Sequence, residues 1–279
     1  MSRRLAEVFA TAKSENRAAL IGYLPAGFPD RDTCVDLIST MVESGVDAIE
    51  VGLPYSDPLM DGAVIQEAVE RALIGGTTTD VVLDTVRRVV EAGAVAVVMS
   101  YWNPIERYGV QRFAADLAKA GGVGVITPDL TPEEAGPWID ATDEHGVDRI
   151  FLVAPSSTDA RIATVVSSTS GFVYAASTMG VTGARSSVST GAGDLVVRTR
   201  RQTVLPIAVG LGVSTGEQAA EVAAYADGVI VGSAFIRRVL EATDSNAARE
   251  SVAALAREMA DGVRARTSRD PSGARTNTR

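Results

Sequence analysis

The chain has 279 residues and a formal net charge of −9, with 46 % hydrophobic and 22 % charged residues. The length suits one (β/α)₈ barrel, which needs about 250 residues, and the composition is that of an ordinary globular protein. The acidic charge argues against nucleic acid or an anionic membrane as the main partner, because both bind a basic face. A small phosphorylated ligand is not excluded, since backbone amides can hold it without net positive charge.

A strand–helix pattern repeats along the chain. Short apolar runs rich in valine and isoleucine predict eight strands, at residues 19–24, 47–52, 95–100, 122–127, 149–153, 172–176, 205–209 and 228–231. Amphipathic stretches predict helices between them, for example at 32–44, 63–73, 80–92 and 111–120. Eight alternations predict a closed parallel TIM barrel. The alternative is an open doubly wound sheet, which is weakened because no glycine fingerprint opens the first helix.

The two ends of the chain differ from this repeat. We expect a single domain, a (β/α)₈ barrel over residues 1–265 with an extra N-terminal helix before the first strand. Residues 266–279 are polar and lack periodicity, which predicts a disordered tail. Within the barrel, the sequence TPEE at 131–134 resembles a capping box and predicts a helix that begins at Pro132.

Several kinds of catalytic chemistry are disfavoured by missing residue types. The only histidine, His145, is predicted at a helix end that precedes the fifth strand, on the face opposite a barrel's active site. Zinc sites and Ser-His-Asp triads are therefore disfavoured. The two lysines, Lys13 and Lys119, do not follow predicted strands, which disfavours a Schiff-base mechanism. If the barrel is an enzyme, carboxylates must transfer its protons.

The expected location of the protein follows from its cysteine and its apolar runs. Cys34 is the only cysteine, so the chain can form no internal disulfide, as is usual in the reducing cytosol. The N-terminal segment lacks the apolar core of a signal peptide, and no apolar run reaches the roughly 20 residues of a membrane span. We predict a cytoplasmic protein in which Cys34 is a packing residue.

One acidic residue is predicted to face the barrel interior. Side chains alternate along the second strand, so Glu50 points inward while Ile49 and Val51 face the helices. A buried, unpaired carboxyl group has a raised pKa and can exchange protons near neutral pH. The alternative is a structural ion pair with an arginine. The loop that follows carries two more acids, Asp57, which can shape a turn, and Asp61, which can serve as an active-site acid or as an N-cap.

Glycine-rich turns follow the last three predicted strands, at 180–183, 209–214 and 232–233. Barrels frequently bind phosphate with the last two of these loops, through bare backbone amides and a helix N-terminus. The alternative is that they are only tight turns. The sixth loop continues through residues 184–193, which are small and predict a mobile lid or a disordered surface loop.

These motifs resemble those of one enzyme family. The segment EVGLPYSDPLMDG at 50–62 resembles the signature of tryptophan synthase α subunits. Residues 100–105, 128–130, 180–183, 210–214 and 232–234 are similar to further family motifs in the same order. Two segments depart from the family pattern, LPAGFP at 24–29 and STM at 177–179, and Leu211 stands where phenylalanine is common.

The resemblance implies a lyase that cleaves indole-3-glycerol phosphate by a retro-aldol reaction in tryptophan biosynthesis. Glu50 would be the main acid–base residue, and Asp61 would hold the indole N–H and stabilise positive charge on the ring. The other residues that the resemblance assigns to substrate binding are Tyr23, Tyr101, Tyr174, Thr182, Gly183, Leu211, Gly212, Gly232 and Ser233. Gly183, Gly212, Gly232 and Ser233 would hold the phosphate.

The resemblance also implies a partner, the β subunit of an α2β2 complex, which would use pyridoxal phosphate to join indole to serine. Asp57 and its loop match the surface that faces this partner, and the chain itself would need no cofactor. Two other hypotheses remain open from the sequence. One is another phosphate-binding barrel, such as an isomerase that uses two carboxylates, and the other is an allosteric binding module with little activity of its own.

Overall fold

A computed structural model describes residues 5–176, 190–210 and 212–265. The strands are β1 (Ala19–Pro25), β2 (Ala48–Gly52), β3 (Ala96–Met99), β4 (Gly124–Ile126), β5 (Asp148–Ile150), β6 (Leu152–Val153), β7 (Val173–Ala176), β8 (Ile207–Gly210) and β9 (Gly228–Val231). The helices are α1 (Leu5–Ser14), α2 (Arg31–Glu43), α3 (Ala63–Ile74), α4 (Thr79–Glu91), α5 (Trp102–Tyr108), α6 (Val110–Ala120), α7 (Gly136–His145), α8 (Asp159–Ser168), α9 (Thr190–Arg200), α10 (Gly216–Ala223), α11 (Ser233–Leu240) and α12 (Ser245–Arg264).

The strands form one parallel sheet in the order β5-β4-β3-β2-β1-β9-β8-β7-β6. The first and last strands of this order, β5 and β6, are consecutive in the chain and separated only by Phe151. The sheet therefore closes on itself, because β5 pairs with β4 while β6 pairs with β7. The fifth predicted strand, at 149–153, corresponds to β5 and β6 together, which form one strand position of the barrel interrupted at Phe151. The predicted TIM barrel is confirmed, and the open-sheet alternative is wrong.

The barrel interior is filled by side chains that alternate along the strands. The buried residues of this inner cluster that lie in a strand or directly before one are Ala19, Ile21, Ala48, Val95, Val97, Ile126, Ile150, Phe172, Ala208 and Ile230. Helix α1 joins the same cluster because its apolar residues recur at helical spacing and share one face. The ring of Phe9 lies 5.5 Å from that of Phe172, so α1 closes one end of the barrel. The predicted extra N-terminal helix is confirmed.

The outer layer packs helices against the other face of the strands, where Ile49 and Val51 belong to a second, larger core cluster. Helix α12 approaches α10 closely, since a Cβ placed on Gly262 would lie 2.2 Å from the carbonyl oxygen of Gly216. Only glycine permits this approach. Glu258 of α12 also accepts a hydrogen bond from the backbone N–H of Gly216 at 2.8 Å. The C-terminal helix thereby fixes the start of α10.

Two expectations differ from the described structure. Helix α7 begins at Gly136 and not at Pro132, and residues 132–134 form a turn instead. The loop expected at 184–193 ends earlier than predicted, because α9 already begins at Thr190. Residues 184–189 and the tail at 266–279 lie outside the described residues.

Cys34 is buried in α2, as predicted. Within the described ranges, no helix is long and apolar enough to cross a membrane.

Candidate active site

A cavity of about 270 Å³ opens where the strands end. Its lining residues are Tyr23, Glu50, Met60, Asp61, Ile65, Met99, Tyr174, Gly210, Gly212, Ile230, Gly232 and Ser233. This set brings together residues from β1, β2, β3, β7, β8 and β9 and from the segments that follow them, as expected for a barrel whose site lies at the C-terminal end of its strands. Both predicted carboxylates are among them.

Glu50 is an almost fully buried acid in the middle of β2. It pairs in register with Tyr23 of β1 and Val97 of β3, and 2 % of its surface is exposed. Its Oε1 atom has no hydrogen-bond partner among the described residues. Burial alone raises the pKa of this carboxyl group to about 8. The side chain can therefore hold or release a proton near neutral pH, and the arginine pair considered as an alternative is not found in the described structure.

Asp61 lies in the loop between β2 and α3, half-buried beside the cavity. Its N-cap alternative is wrong, because the N-cap of α3 is Gly62 and no side chain caps that helix. Burial raises the pKa of Asp61, and a hydrogen bond from the Tyr101 hydroxyl opposes that rise. Its carboxylate is thus left available to a ligand in the cavity.

Tyr101 stands one layer behind the cavity wall. Its side chain is 6 % exposed, and its hydroxyl oxygen accepts a hydrogen bond from the Met60 N–H at 3.0 Å. The same hydroxyl lies close enough to the Asp61 carboxylate to lower its pKa. Tyr101 therefore touches two lining residues and fixes the loop that carries Asp61.

Two tyrosines, Tyr23 of β1 and Tyr174 of β7, each project over a glycine on the adjacent strand, β2 and β8 respectively. A Cβ on Gly52 would lie 2.5 Å from the Tyr23 hydroxyl oxygen, and a Cβ on Gly210 would lie 2.3 Å from the Tyr174 hydroxyl oxygen. Glycine is therefore required beneath both phenols. Burial raises the pKa of both tyrosines well above the ordinary value, so both hydroxyls remain neutral hydrogen-bond donors.

Two helices, α10 and α11, begin after β8 and β9, and the start of α11 lines the cavity. The amides at the start of α10 already have partners, because Gln218 accepts from the Ser214 N–H at 2.8 Å and Thr215 accepts from the Gln218 N–H at 3.3 Å. The start of α11 differs, since its N-cap is Gly232 and no side chain caps it. Backbone amides at such an end suit an anion. Gly232 and Ser233 lie there, and Gly212 adopts a left-handed φ of 68° nearby.

The comparison with known families decides the identity. A family model described as tryptophan synthase alpha chain matches residues 9–264. The chain belongs to this family. The tryptophan synthase alpha chain of Thermobifida fusca (strain YX) is 61 % identical over 268 residues, which cover 95 % of this chain and 98 % of the relative. That of Nocardia farcinica (strain IFM 10152) is 56 % identical, with coverages of 95 % and 97 %.

Solved structures agree with the sequence comparison. A structure of Mycobacterium tuberculosis tryptophan synthase superposes with a TM-score of 0.87 at 53 % identity, covering 95 % of this chain and 99 % of the solved one. The alpha subunit from Legionella pneumophila str. Paris gives a TM-score of 0.85 at 33 % identity, with coverages of 94 % and 99 %.

Membership in the tryptophan synthase alpha chain family fixes the reaction. The chain is a lyase that cleaves indole-3-glycerol phosphate to indole and glyceraldehyde 3-phosphate in tryptophan biosynthesis. The competing hypothesis of a two-carboxylate isomerase is therefore wrong. Of the residues that the resemblance assigns to this substrate, Thr182, Gly183 and Leu211 lie outside the described residues.

Sequence reasoning missed part of the cavity wall. The unpredicted lining residues are Met60, Ile65, Met99 and Ile230, whereas Gly210 belongs to the glycine run at 209–214 that the sequence predicts for phosphate. Met99 carried a usable signal, because it follows Val95 and Val97 at the two-residue spacing of an inward strand face. No sequence pattern places Ile65 in the cavity, since its approach depends on how α3 packs across the end of the barrel.

Over the described part of the chain, no group of three or more His, Cys, Asp or Glu side chains could hold a metal ion.

A second cavity of about 460 Å³ lies on the outer side of the β2–α3 loop. Its lining residues are Tyr55, Ser56, Asp57, Thr79, Asn103, Pro104, Arg107 and Tyr108. The ring of Tyr55 lies 5.6 Å from the ring of Tyr101, which touches the wall of the first cavity. Leu59 is 76 % exposed in the same loop. This loop therefore separates the substrate cavity from an open, partly apolar surface.

Proposed function

We propose that Glu50 supplies the acid–base chemistry of the cleavage. In the retro-aldol reaction, indole C3 gains a proton, the adjacent glycerol hydroxyl loses one, and the bond between the two carbons breaks. A protonated Glu50 can give its proton to C3, and the resulting carboxylate can take the hydroxyl proton, which returns the residue to its first state. The observation that carries this role is the buried carboxyl group, whose Oε1 atom has no hydrogen-bond partner among the described residues and whose pKa is raised to about 8.

Asp61 has a complementary role in this proposal. Protonation at C3 places positive charge on the indole ring, and an ionised Asp61 would accept a hydrogen bond from the ring N–H and stabilise that charge. Burial raises the pKa of Asp61 and the Tyr101 hydroxyl opposes that rise. We assign different protonation states to the two acids, Glu50 neutral and Asp61 ionised, because their roles in the reaction require it.

The phosphate end and the indole end of the substrate are assigned to opposite parts of the cavity. The uncapped start of α11, with Gly232 and Ser233, would hold the phosphate together with Gly212 and Gly183. Tyr23 and Tyr174 would line the body of the pocket, with Leu211 beside the indole and Thr182 positioning the lid. Tyr101, which the family resemblance also assigns to the indole pocket, would act from behind the wall by holding Met60. For Gly183, Leu211 and Thr182 this remains a carry-over from the family resemblance alone.

Two substitutions test the assignment of the acids. Glu50→Gln keeps the shape of the side chain and removes its proton chemistry, so kcat should fall by about 10²–10⁴-fold. The KM for indole-3-glycerol phosphate should change little, because phosphate binding is untouched. Asp61→Asn should also lower kcat. The matched control is Glu70→Gln on the exposed face of α3. Glu50→Gln with near wild-type kcat would overturn the proposal.

We further propose that the chain works in an α2β2 complex with a β subunit that carries pyridoxal phosphate, and that it needs no cofactor itself. The second cavity, with Asp57 and the exposed Leu59, is the surface assigned to this partner. Addition of purified β subunit should raise the rate of indole formation and shift the chain to a larger species in size-exclusion chromatography. An unchanged rate and elution volume would contradict the assignment.

We also propose a cytoplasmic location and a single barrel domain over residues 1–265 with a disordered tail at 266–279. The end of helix α12 at Arg264 supports the boundary. A chain that stops at residue 265 should retain the melting temperature and the cleavage rate of the full chain. A large loss of either would assign the tail a structural role.

A further inference from the structure

Asp129 is a half-buried acid whose position neither the fold nor the proposed chemistry explains. It lies in the loop that follows β4, and its two carboxylate oxygens lie 2.9 and 3.1 Å from the backbone nitrogen of Trp102. Trp102 is the first residue of α5, whose own N-cap residue provides no side-chain hydrogen bond. Asp129 therefore caps a helix that belongs to the neighbouring β3–α5 connection.

The residue just before this capped amide is Tyr101. The peptide group between Tyr101 and Trp102 is held at both of its polar atoms, because the Ser100 hydroxyl donates to the Tyr101 carbonyl oxygen at 2.7 Å and Asp129 accepts from the Trp102 N–H. Its hydroxyl reaches the Met60 amide and the Asp61 carboxylate. A shift of the β3–α5 turn would therefore move the hydroxyl away from the loop that carries Asp61.

Few other contacts hold the outer half of that loop. The start of the loop is anchored by a hydrogen bond from the Leu53 N–H to the Met99 carbonyl oxygen at 2.8 Å. Further along, Leu59 is 76 % and Met60 58 % exposed, so packing contributes little there. Two hydrogen bonds hold the Met60–Asp61 segment: the Tyr101 hydroxyl accepts from the Met60 N–H at 3.0 Å, and the Gln66 side-chain amide donates to the Asp61 carbonyl oxygen at 2.7 Å. The Tyr101 bond is the one that ties this segment to the β3–α5 connection.

We infer that Asp129 is a positioning residue for the cleavage reaction, acting through Trp102 and Tyr101 on Asp61. This inference rests on the proposed role of Asp61. Asp129 holds the Trp102 amide, the amide fixes the Tyr101 side chain, and the Tyr101 hydroxyl orients the Asp61 carboxylate toward the cavity. The acid touches no reacting atom itself.

Steady-state kinetics of the full chain with its β subunit test the inference. Asp129→Ala should lower kcat/KM by about 10–100-fold, since a misplaced active-site group costs that much. Asp129→Asn should stay close to wild type, because asparagine caps a helix amide as well as aspartate does. Tyr101→Phe should resemble Asp129→Ala. The double variant should lose no more than the worse single variant, because both substitutions break the same connection.

The pH profile separates positioning from a general loss of structure. The Tyr101 hydroxyl lowers the pKa of Asp61, and Asp61 is active when ionised, so activity falls as the pH falls through that pKa. The acid limb of the kcat/KM profile is the pH range in which activity falls as Asp61 becomes protonated. Loss of the hydroxyl contact should move this acid limb to higher pH, both in Asp129→Ala and in Tyr101→Phe. Asp244→Ala is the matched control, because Asp244 caps α12 through a 2.9 Å bond to the Ala247 amide, outside the cavity. It should leave the limb in place.

The outcomes distinguish this inference from the proposed function. A wild-type limb in Asp129→Ala, or a double variant whose losses multiply, would overturn the positioning role. An active Asp61→Asn enzyme would instead overturn the role of Asp61 itself. If Asp129→Ala does not fold, Asp129→Glu keeps the charge and displaces the carboxylate by one methylene. The same shift of the limb is expected, and its absence would overturn the inference.

Discussion

The buried carboxyl group of Glu50 should make the stability of the barrel depend on pH. Burial raises its pKa from 4.5 to about 8, so between these values the folded chain keeps a proton that the unfolded chain has released. Because the folded state binds more protons in this window, the free energy of unfolding falls as the pH rises from about 4.5 to about 8. Below the window both states are protonated, and above it both are ionised.

The size of the effect follows from the separation of the two pKa values. A rise from 4.5 to about 8 corresponds to a loss of about 5 kcal/mol at roughly 1.4 kcal/mol for each pKa unit. Glu50→Gln cannot ionise, so this loss should be absent from the variant. Near pH 4.5 the two proteins should unfold with similar free energies. At pH 8 the variant should be more stable, with a Tm about 10–20 °C higher.

Urea unfolding followed by circular dichroism measures this difference directly. Wild type, Glu50→Gln and the exposed control Glu70→Gln would be compared at pH 4.5, 6.5 and 8. All other titrating groups are shared, so they cancel in the difference between wild type and Glu50→Gln. A difference that stays constant with pH would refute the conclusion that the folded chain holds Glu50 in its neutral form.

Two glycine substitutions test the packing beside the site and on the outer layer. Gly52→Ala should lower the free energy of unfolding by about 1–3 kcal/mol, because the new Cβ would lie 2.5 Å from the Tyr23 hydroxyl oxygen. A urea midpoint equal to that of wild type would contradict this contact, and Gly136→Ala, where a Cβ meets nothing within 4 Å, is the control. Gly262→Ala should destabilise the chain by a similar amount, because its Cβ would lie 2.2 Å from the Gly216 carbonyl oxygen. Calorimetry that finds no decrease in Tm would show that α10 and α12 can separate without cost.

The barrel is largely predictable because its strands carry a strong local pattern. Runs of valine and isoleucine locate the strands of the barrel, and the two-residue alternation along the second strand is enough to place Glu50 inside it. The interruption of the fifth strand position at Phe151 is not predictable in this way. Its two halves pair with different neighbours, β4 and β7, and that division depends on how the sheet closes rather than on the local sequence.

The helix start at Pro132 shows how a nearby residue can override a motif. A helix that ran from Pro132 through Pro137 would lose one backbone hydrogen bond at Pro137 and would meet a steric clash there. The chain instead makes a turn at 132–134 and begins α7 at Gly136, with a proline in the first turn. The capping-box composition is present, and the helix that it predicts is wrong.

The candidate site is predictable where a strand or a glycine turn specifies it, and not where two distant loops meet. Glu50 and Gly232 each follow from a local pattern. The hydrogen bond from the Met60 N–H to the Tyr101 hydroxyl joins two loops that are far apart in the chain, and Asp129 reaches the same region from a third loop. No local periodicity encodes such contacts, so only the folded barrel reveals them.

The most direct test of the central claim is a spectroscopic assay of indole released from indole-3-glycerol phosphate by the purified chain. No metal or cofactor would be added, and the Glu50→Gln variant would be measured beside the wild type, each with and without a β subunit. We expect indole from the wild type, more of it with the partner, and almost none from the variant under either condition. Equal release by wild type and variant would contradict the assignment of the reaction's proton transfers to Glu50.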